Sequence, residues 1–314
     1  MKPKVLIDMP LPDFLGDLFA AHCEFVRWSA LGDSTAALGD ISGMLTYSHP
    51  RVGAAELDSL PSLKVVSNYG VGVDHIDLVA CRAAGVPVGN TPGLVDGATA
   101  DLTMGILLAI ARNILPGDRF ARSPEFTHYD PGYLLGRDVF GSTLGIVGMG
   151  RIGREIAKRA RGFDMRIVYH NRRPDAQAEA LFDAEYLGLD ELLGRADFVS
   201  LNTPLTDETH HLIGERELRL MRRDSFLINT ARGGVVDTDA LHTALSEQWI
   251  AGAAIDVTEP EPLERDHPIL KLENLLITPH LGTSTVDTRV RMGLLTRDNL
   301  LAGLAGNALV CEAS

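Results

Sequence analysis

The sequence predicts a two-domain α/β protein whose larger part is a doubly wound parallel sheet of the Rossmann type. Three observations carry that prediction. At 314 residues the chain exceeds what one hydrophobic core ordinarily serves. Short apolar runs alternate with polar, helix-compatible stretches twice over, which is the rhythm of βαβ units. A glycine-rich turn follows the first strand of the second series, at the edge where such sheets bind ligands.

The first series comprises Val5-Leu6-Ile7, Gly43-Met44-Leu45-Thr46, Leu63-Lys64-Val65-Val66 and Gly85-Val86-Pro87-Val88. Residues 97 to about 112, carrying Leu102, Ile106, Leu108 and Ala109, form the first long helical stretch, read as the crossing between domains. Residues 116–141 then read as a loop-rich arm, punctuated by Pro124, Pro131 and Gly132 and bearing Phe126, Tyr129 and Tyr133. Such an arm needs a surface to lie on. A partner subunit would supply one and favours a homodimer; a self-packed loop is the alternative. The second series has six expected strands, at 144–147, 165–169, 198–201, 225–229, 252–256 and 275–278. A last amphipathic helix, 285–304, has no place left in that sheet and is expected to return to the first domain. The expected division is therefore 1–96 with 285–314, and 97–284.

Composition excludes several classes. A formal net charge of −13, from 42 acidic and 29 basic residues, argues against nucleic-acid or anionic-membrane partners, which clustered Lys and Arg would have to meet. There is no run of about 18 apolar residues, and Met1-Lys2-Pro3-Lys4 leads straight into a strand, so a cytoplasmic location is expected. Cys23, Cys81 and Cys311 are odd in number and lack CxxC spacing. They read as buried small apolar side chains, with neither a disulfide framework nor a zinc site. Adjacent His210 and His211 are a tempting pair, but neighbours on a strand or helix point apart, and no metal is assigned to them.

Gly148-Met149-Gly150-Arg151-Ile152-Gly153 follows a buried strand and opens a helix, the context that gives a GxGxxG pattern its meaning. The first glycine allows the tight turn, the second lets backbone approach a pyrophosphate, and the third lets the helix pack on the strand. Dinucleotide binding follows. In most such sites an acidic residue about 20 positions on holds the adenosine ribose. Here the strand ends in Tyr169-His170-Asn171-Arg172-Arg173, without a carboxylate. A ribose phosphate would meet Asn171, Arg172 and Arg173, and the guanidinium fork suits phosphate. NADP(H) is therefore preferred, with NAD(H) possible through Asp164 or Asp175.

Three polar residues fall at later strand ends. Arg232 precedes Gly233-Gly234, Glu261 lies in Glu259-Pro260-Glu261-Pro262, and His280 stands between Thr278-Pro279 and Leu281-Gly282. That set suits reduction of a 2-oxo acid. A guanidinium clamps the carboxylate and polarises the neighbouring carbonyl, an imidazolium gives the proton, and a carboxylate holds the imidazole in one tautomer. Singly, each has a duller reading: an ion pair at a strand end, a solvated acid, a packed surface histidine. All three at strand ends of one sheet make coincidence a poor account.

These residues carry a resemblance. The glycine motif, Ile228-Asn229-Thr230-Ala231-Arg232-Gly233-Gly234-Val235-Val236-Asp237, the stretch from Ala254 to Leu263 and Ile277-Thr278-Pro279-His280-Leu281-Gly282 resemble the D-2-hydroxyacid dehydrogenases, over nearly the whole chain. Around Asp256 and at Asn299-Leu300-Leu301-Ala302-Gly303 the similarity is to glyoxylate/hydroxypyruvate reductases. The resemblance implies that Arg232 orients substrate, His280 is the acid/base and Glu261 its hydrogen-bond partner. It implies substrate-carboxylate binding by backbone N–H groups at Val71 and Gly72, in Val71-Gly72-Val73-Asp74. Thr203, Pro204, Ala231 and Asp256 would meet the nicotinamide, with Thr99 near the phosphates and Gly282 beside His280 in the cofactor site. It also implies a discontinuous, flavodoxin-like substrate domain, a cleft that closes on the cofactor, a homodimer and D stereochemistry. Two departures stand out: Asn202 replaces a His often found two residues before Pro204-Leu205-Thr206, and Asn171-Arg172-Arg173 replaces the commoner acidic strand end.

Within the superfamily, a formate enzyme would carry Gln at Glu261, and a phosphoglycerate enzyme would want an acidic strand end and usually a regulatory extension. A 2-ketogluconate-type reductase remains open. So does a class apart, a dinucleotide-sensing scaffold resembling corepressors of this fold, against which stand the complete Arg232, Glu261, His280 set and the lack of disordered tails. Substrate size would depend on residues such as Leu45, Tyr47, Ser48 and Tyr133, which the sequence does not rank.

Overall fold

The computed structural model describes residues 2–28 and 38–313. The chain forms two compact units, Met1–Val95 with Thr283–Ser314, and Asp96–Gly282.

The first unit is built on five parallel strands, β1 (Lys4–Ile7), β2 (Glu24–Arg27), β3 (Ile41–Thr46), β4 (Val66–Asn68) and β5 (Val88–Gly89), in the order β2-β1-β3-β4-β5. That is the flavodoxin order. Strand β2 escapes a reading by apolar runs because among the described residues it is an edge strand, paired only to β1, and Glu24-Phe25-Val26-Arg27 buries none of its residues fully. The C-terminal helix α11 (Val286–Leu304) packs on α1 (Asp13–Ala20), β3 and β4 of this unit, and the Thr285 side chain caps its first turn.

The second unit holds seven parallel strands, one more than expected: β6 (Thr143–Val147), β7 (Arg166–His170), β8 (Glu185–Tyr186), β9 (Phe198–Leu201), β10 (Phe226–Asn229), β11 (Gly252–Ile255) and β12 (Leu275–Ile277). Their order is β12-β11-β10-β9-β6-β7-β8. Two-residue β8 is too short to show any period. Chain direction across the sheet reverses where β6 lies between β7 and β9, the switch point that opens a ligand crevice.

Both faces of this sheet are covered, which is why its strands read as continuous apolar runs rather than alternating ones. Ile146, Phe198, Ile228 and Ala254 pack towards α4 (Asp96–Ala111) and α6 (Arg151–Ala160). Their neighbours Val147, Val199, Leu227 and Ala253 pack on the opposite face, with Leu192 of α8 (Leu189–Arg195), Leu218 of α9 (Glu215–Leu220) and Leu241 of α10 (Thr238–Ser246).

The arm differs from expectation at its start. Helix α5 (Ile114–Ala121) runs through Pro116, which sits in the first turn, where its missing N–H breaks no bond. Phe120 of α5 packs against Tyr133 (ring centroids 4.2 Å) and Phe126 (5.5 Å), so the arm is partly self-packed. Tyr129 nevertheless stays 82% exposed.

Cys23 and Cys81 are buried, and burial pushes the Cys23 thiol up to about 11; Cys311 is only half-buried, not fully so as expected. Among the described residues no single helix is long and apolar enough to cross a membrane. Helices α4 and α5 pass that test only together, across a 60° bend, and α4 is core of this unit.

Candidate active site

The glycine turn is shaped by close approach. Gly148 has φ +97°, and a Cβ there would lie 2.8 Å from the carbonyl of Asn202. A Cβ on Gly153 would come within 2.3 Å of the Gly148 carbonyl oxygen, so only glycine lets α6 start against the strand end. Gly150 faces open space, with nothing within 4 Å of its would-be Cβ. Exposed Arg151 and half-buried Ile152 follow it into the helix. Beside this turn, Asn202 Oδ1 and Thr203 Oγ1 are buried without a hydrogen-bond partner among the described residues. An open cradle at a helix N-terminus, with orphaned polar atoms at its rim, fits a pyrophosphate and its attached sugar.

The end of β7 is organised around Tyr169. Its buried hydroxyl donates to Glu179 (2.8 Å) and accepts from the Asp175 N–H (2.6 Å), satisfying a group that would otherwise be costly to bury. Asn171 Oδ1 accepts from the Met149 N–H at 2.7 Å, so this side chain braces the glycine turn, and only its amide NH2 remains for a ligand. Arg172 and Arg173 are exposed and make no hydrogen bond or ion pair among the described residues. Asp175 is committed elsewhere: it caps α7 (Ala176–Phe182) through the N–H groups of Gln177 and Ala178 and pairs with Arg154. Those backbone bonds, then Arg154, hold its carboxyl below the usual range. Asp164 lies in a left-handed turn ahead of β7.

His280 Nδ1 lies 2.6 Å from Glu261 Oε1, an imidazole–carboxylate hydrogen bond between the loops after β12 and β11. His280 has φ +56°, a left-handed conformation that costs a non-glycine residue about 1–2 kcal/mol. Buried Asp256, at the end of β11, holds it there. Its carbonyl accepts from the His280 N–H (2.9 Å), Oδ1 accepts from Leu281 N–H (2.7 Å) and the Thr278 hydroxyl (2.5 Å), and Oδ2 from Gly282 N–H (2.7 Å). A Cβ on Gly282 would lie 3.4 Å from Asp256 Oδ2 and 3.5 Å from Thr99 Oγ1, which places Thr99 of α4 under the same loop. Thr103, one turn on, hydrogen-bonds Thr230 (2.8 Å).

Arg232 leaves the adjacent strand β10. The Asn229 carboxamide ties its loop by accepting from Ala231 N–H (3.0 Å) and donating to the Arg232 carbonyl (2.9 Å), while the guanidinium donates to the Ala231 carbonyl (2.9 Å). A guanidinium, an imidazole and the carboxylate hydrogen-bonded to that imidazole thus stand beyond the carboxyl ends of three neighbouring strands.

The model of the D-isomer specific 2-hydroxyacid dehydrogenase NAD binding domain matches residues 104–282. The chain belongs to that family. It is an NAD(P)-dependent oxidoreductase. It is 42% identical to a glyoxylate reductase of Thermococcus litoralis over 315 residues, covering 98% of this chain and 95% of that one. A Thermus thermophilus structure aligns at TM-score 0.90 and 42% identity, covering 99% of this chain and all of that one. An NADPH-dependent glyoxylate/hydroxypyruvate reductase of Sinorhizobium meliloti, solved with NADP and malonate, aligns at TM-score 0.91 and 29% identity, covering 100% and 97%.

In the dehydrogenase's first unit, Asn68 organises the loop at Val71 and Gly72. Its Nδ2 donates to the carbonyls of Gly70 (3.1 Å) and Gly72 (2.9 Å), and Asn90 holds the Val71 carbonyl (2.9 Å). With the carbonyls tied back, the N–H groups of Val71 and Gly72 have no partner among the described residues. Asp8 accepts from the N–H groups of Tyr47 and Ser48 (2.8 Å each) and fixes that neighbouring loop, while Leu45 is buried inside the sheet.

Sequence reading missed Asn68, Asn229 and the anchoring work of Asp256, because each acts on backbone groups and no spacing rule announces that. It also misjudged His210 and His211. They sit in a turn, His211 has φ +51°, and their rings stack 3.9 Å apart instead of diverging. A hollow of about 340 Å³ lies at the other end of this unit's sheet, lined by Leu115, Arg137, Asp224 and Phe226, away from these loops.

Proposed function

We propose that this dehydrogenase reduces a small 2-oxo acid of the glyoxylate or hydroxypyruvate type to its D-2-hydroxy acid, with NADPH preferred over NADH. The His280–Glu261 hydrogen bond of 2.6 Å carries the reading. Glu261 fixes the imidazole tautomer by accepting from Nδ1, which leaves Nε2 to give its proton to the carbonyl oxygen. Arg232 takes the substrate carboxylate and polarises the adjacent carbonyl. The bound dinucleotide supplies the hydride, and the chain supplies orientation and charge. Gly148, Gly150, Arg151, Ile152 and Gly153 would hold the pyrophosphate with Thr99 nearby. Thr203, Pro204, Ala231 and Asp256 would flank the nicotinamide.

The NADPH preference is supported by Arg172 and Arg173, exposed at the end of β7, and by Asp175 being occupied with helix capping and Arg154. Cytoplasmic placement and a homodimer complete the proposal. The dimer is supported by the exposed apolar residues of the arm, Tyr129 at 82%, Leu135 at 76% and Phe140 at 68%.

Initial rates on glyoxylate, hydroxypyruvate, 2-ketogluconate, pyruvate and phenylpyruvate with each cofactor test the reading. The expected result is the highest kcat/KM on one of the first two, with NADPH. A higher value on 2-ketogluconate, or with NADH, would overturn the respective half.

A further inference from the structure

We propose that His210, His211 and Glu259 form a binding site for one divalent transition-metal ion of the zinc class, separate from the His280–Glu261 pair. The ring stacking that joins His210 and His211 also aims both Nε2 atoms at one carboxylate: His210 Nε2 is 3.4 Å from Glu259 Oε1, and His211 Nε2 is 2.9 Å from Oε2. The three ligand atoms lie within 4.8 Å of one another. Bonds of about 2.0 Å at tetrahedral angles put ligand atoms roughly 3.3 Å apart, and the two carboxylate contacts bracket that spacing.

The scaffold holds this geometry. The His210 N–H donates to the Thr206 carbonyl (2.8 Å), the His211 N–H to the Gly234 carbonyl (2.7 Å), and the Thr238 hydroxyl to the Glu259 carbonyl (3.2 Å). Gly234 makes room, since a Cβ there would lie 2.8 Å from Glu259 Oε1. His211 Nδ1 faces Asp237 Oδ2 at 4.0 Å, and a metal-bound imidazole commonly has such a carboxylate on its other nitrogen. Glu259 and Asp237 together match the charge of a dication. Two imidazoles and one carboxylate select Zn2+, Ni2+ or Cu2+ over Mg2+ or Ca2+. A bound ion would clip the turn after β9 to the loop after β11, two residues ahead of Glu261. The site stands whatever substrate the dehydrogenase takes.

The experiment is titration of chelator-treated, full-length protein with Zn2+ by calorimetry and with Co2+ by visible absorption. One ion per chain is expected, with Co2+ giving a tetrahedral spectrum. The variants H210A/H211A and Glu259→Gln should each bind at least ~100-fold more weakly, and His280→Asn should bind as the parent does. Using Glu259→Gln, a near-isosteric change, keeps the test decisive even if the double variant misfolds. Binding lost in His280→Asn but kept in Glu259→Gln, or no saturation below millimolar Zn2+, would overturn the proposal.

Discussion

The two ends of the seven-stranded sheet are built from the same residue types to opposite effect. At the amino ends, charges are paired off. Arg137 bridges Asp197 and Asp224, Asp197 also accepts from the Thr143 N–H (2.8 Å), and Arg222 donates to Asp224 (3.1 Å). At the carboxyl ends, polar groups are left over or strained: Asn202 Oδ1 and Thr203 Oγ1 are orphaned among the described residues, His280 has positive φ, and Arg172 and Arg173 face solvent. One end settles its own electrostatics, and the other holds unspent interactions for something that binds. The lesson is that satisfaction, rather than residue type, separates a stabilising cluster from a functional one.

That comparison predicts a double dissociation between turnover and stability. The largest effect belongs to His280→Asn, which should lower kcat by at least ~100-fold while leaving the melting temperature and NADPH affinity nearly unchanged. Near-normal turnover would remove His280 from the chemistry. Next, Arg172→Ala should weaken NADPH binding by about 1.5–3 kcal/mol, roughly 10- to 150-fold, and NADH binding far less. Fluorescence titrations showing equal weakening of both would take the phosphate role away from it.

At the amino end the signs reverse. Asp197→Ala leaves Arg137 and the Thr143 N–H without their shared acceptor, so denaturant melts should show a loss of about 1–3 kcal/mol with kcat/KM intact. A fall in kcat/KM as large as the fall in stability would break the comparison. The smallest effect concerns pH. The hydrogen bond from Arg222, then Arg137, holds the Asp224 carboxyl down at about 2. Its folded value is below its unfolded one, so its contribution is complete above about pH 4 and is lost as pH falls through about 2. Asp224 is half exposed, which limits the gain to under ~1 kcal/mol. Asp224→Asn should therefore melt slightly lower at pH 7, with the gap closing towards pH 2; a gap constant over that range would show that charge is not its source.

The carboxyl-end chemistry was more legible than the framework that holds it. GxGxxG, Arg232, Glu261 and His280 are read from residue type and from position after apolar runs, both local properties of the chain. Strands β2 and β8 were not, since an edge strand and a two-residue strand carry no run of their own. Helix α5 was hidden by Pro116, which reads as a breaker until its place in the first turn is known. Asn68, Asn229 and Asp256 act on carbonyls and N–H groups brought near by folding, so the sequence names the residue without its work. His210 and His211 failed for a related reason: one left-handed residue turned two neighbours onto a common face.

By itself the sequence determined the α/β architecture, the glycine turn and the placing of Arg232, Glu261 and His280 after strands of one sheet, because periodicity and strand-end position are written along the chain. Only the tertiary structure decided which polar groups are already satisfied, that Asn171 braces the glycine turn, and that His210, His211 and Glu259 meet. Hydrogen bonding saturates: whether a side chain is available depends on partners that arrive from distant segments, and the fold alone assigns them.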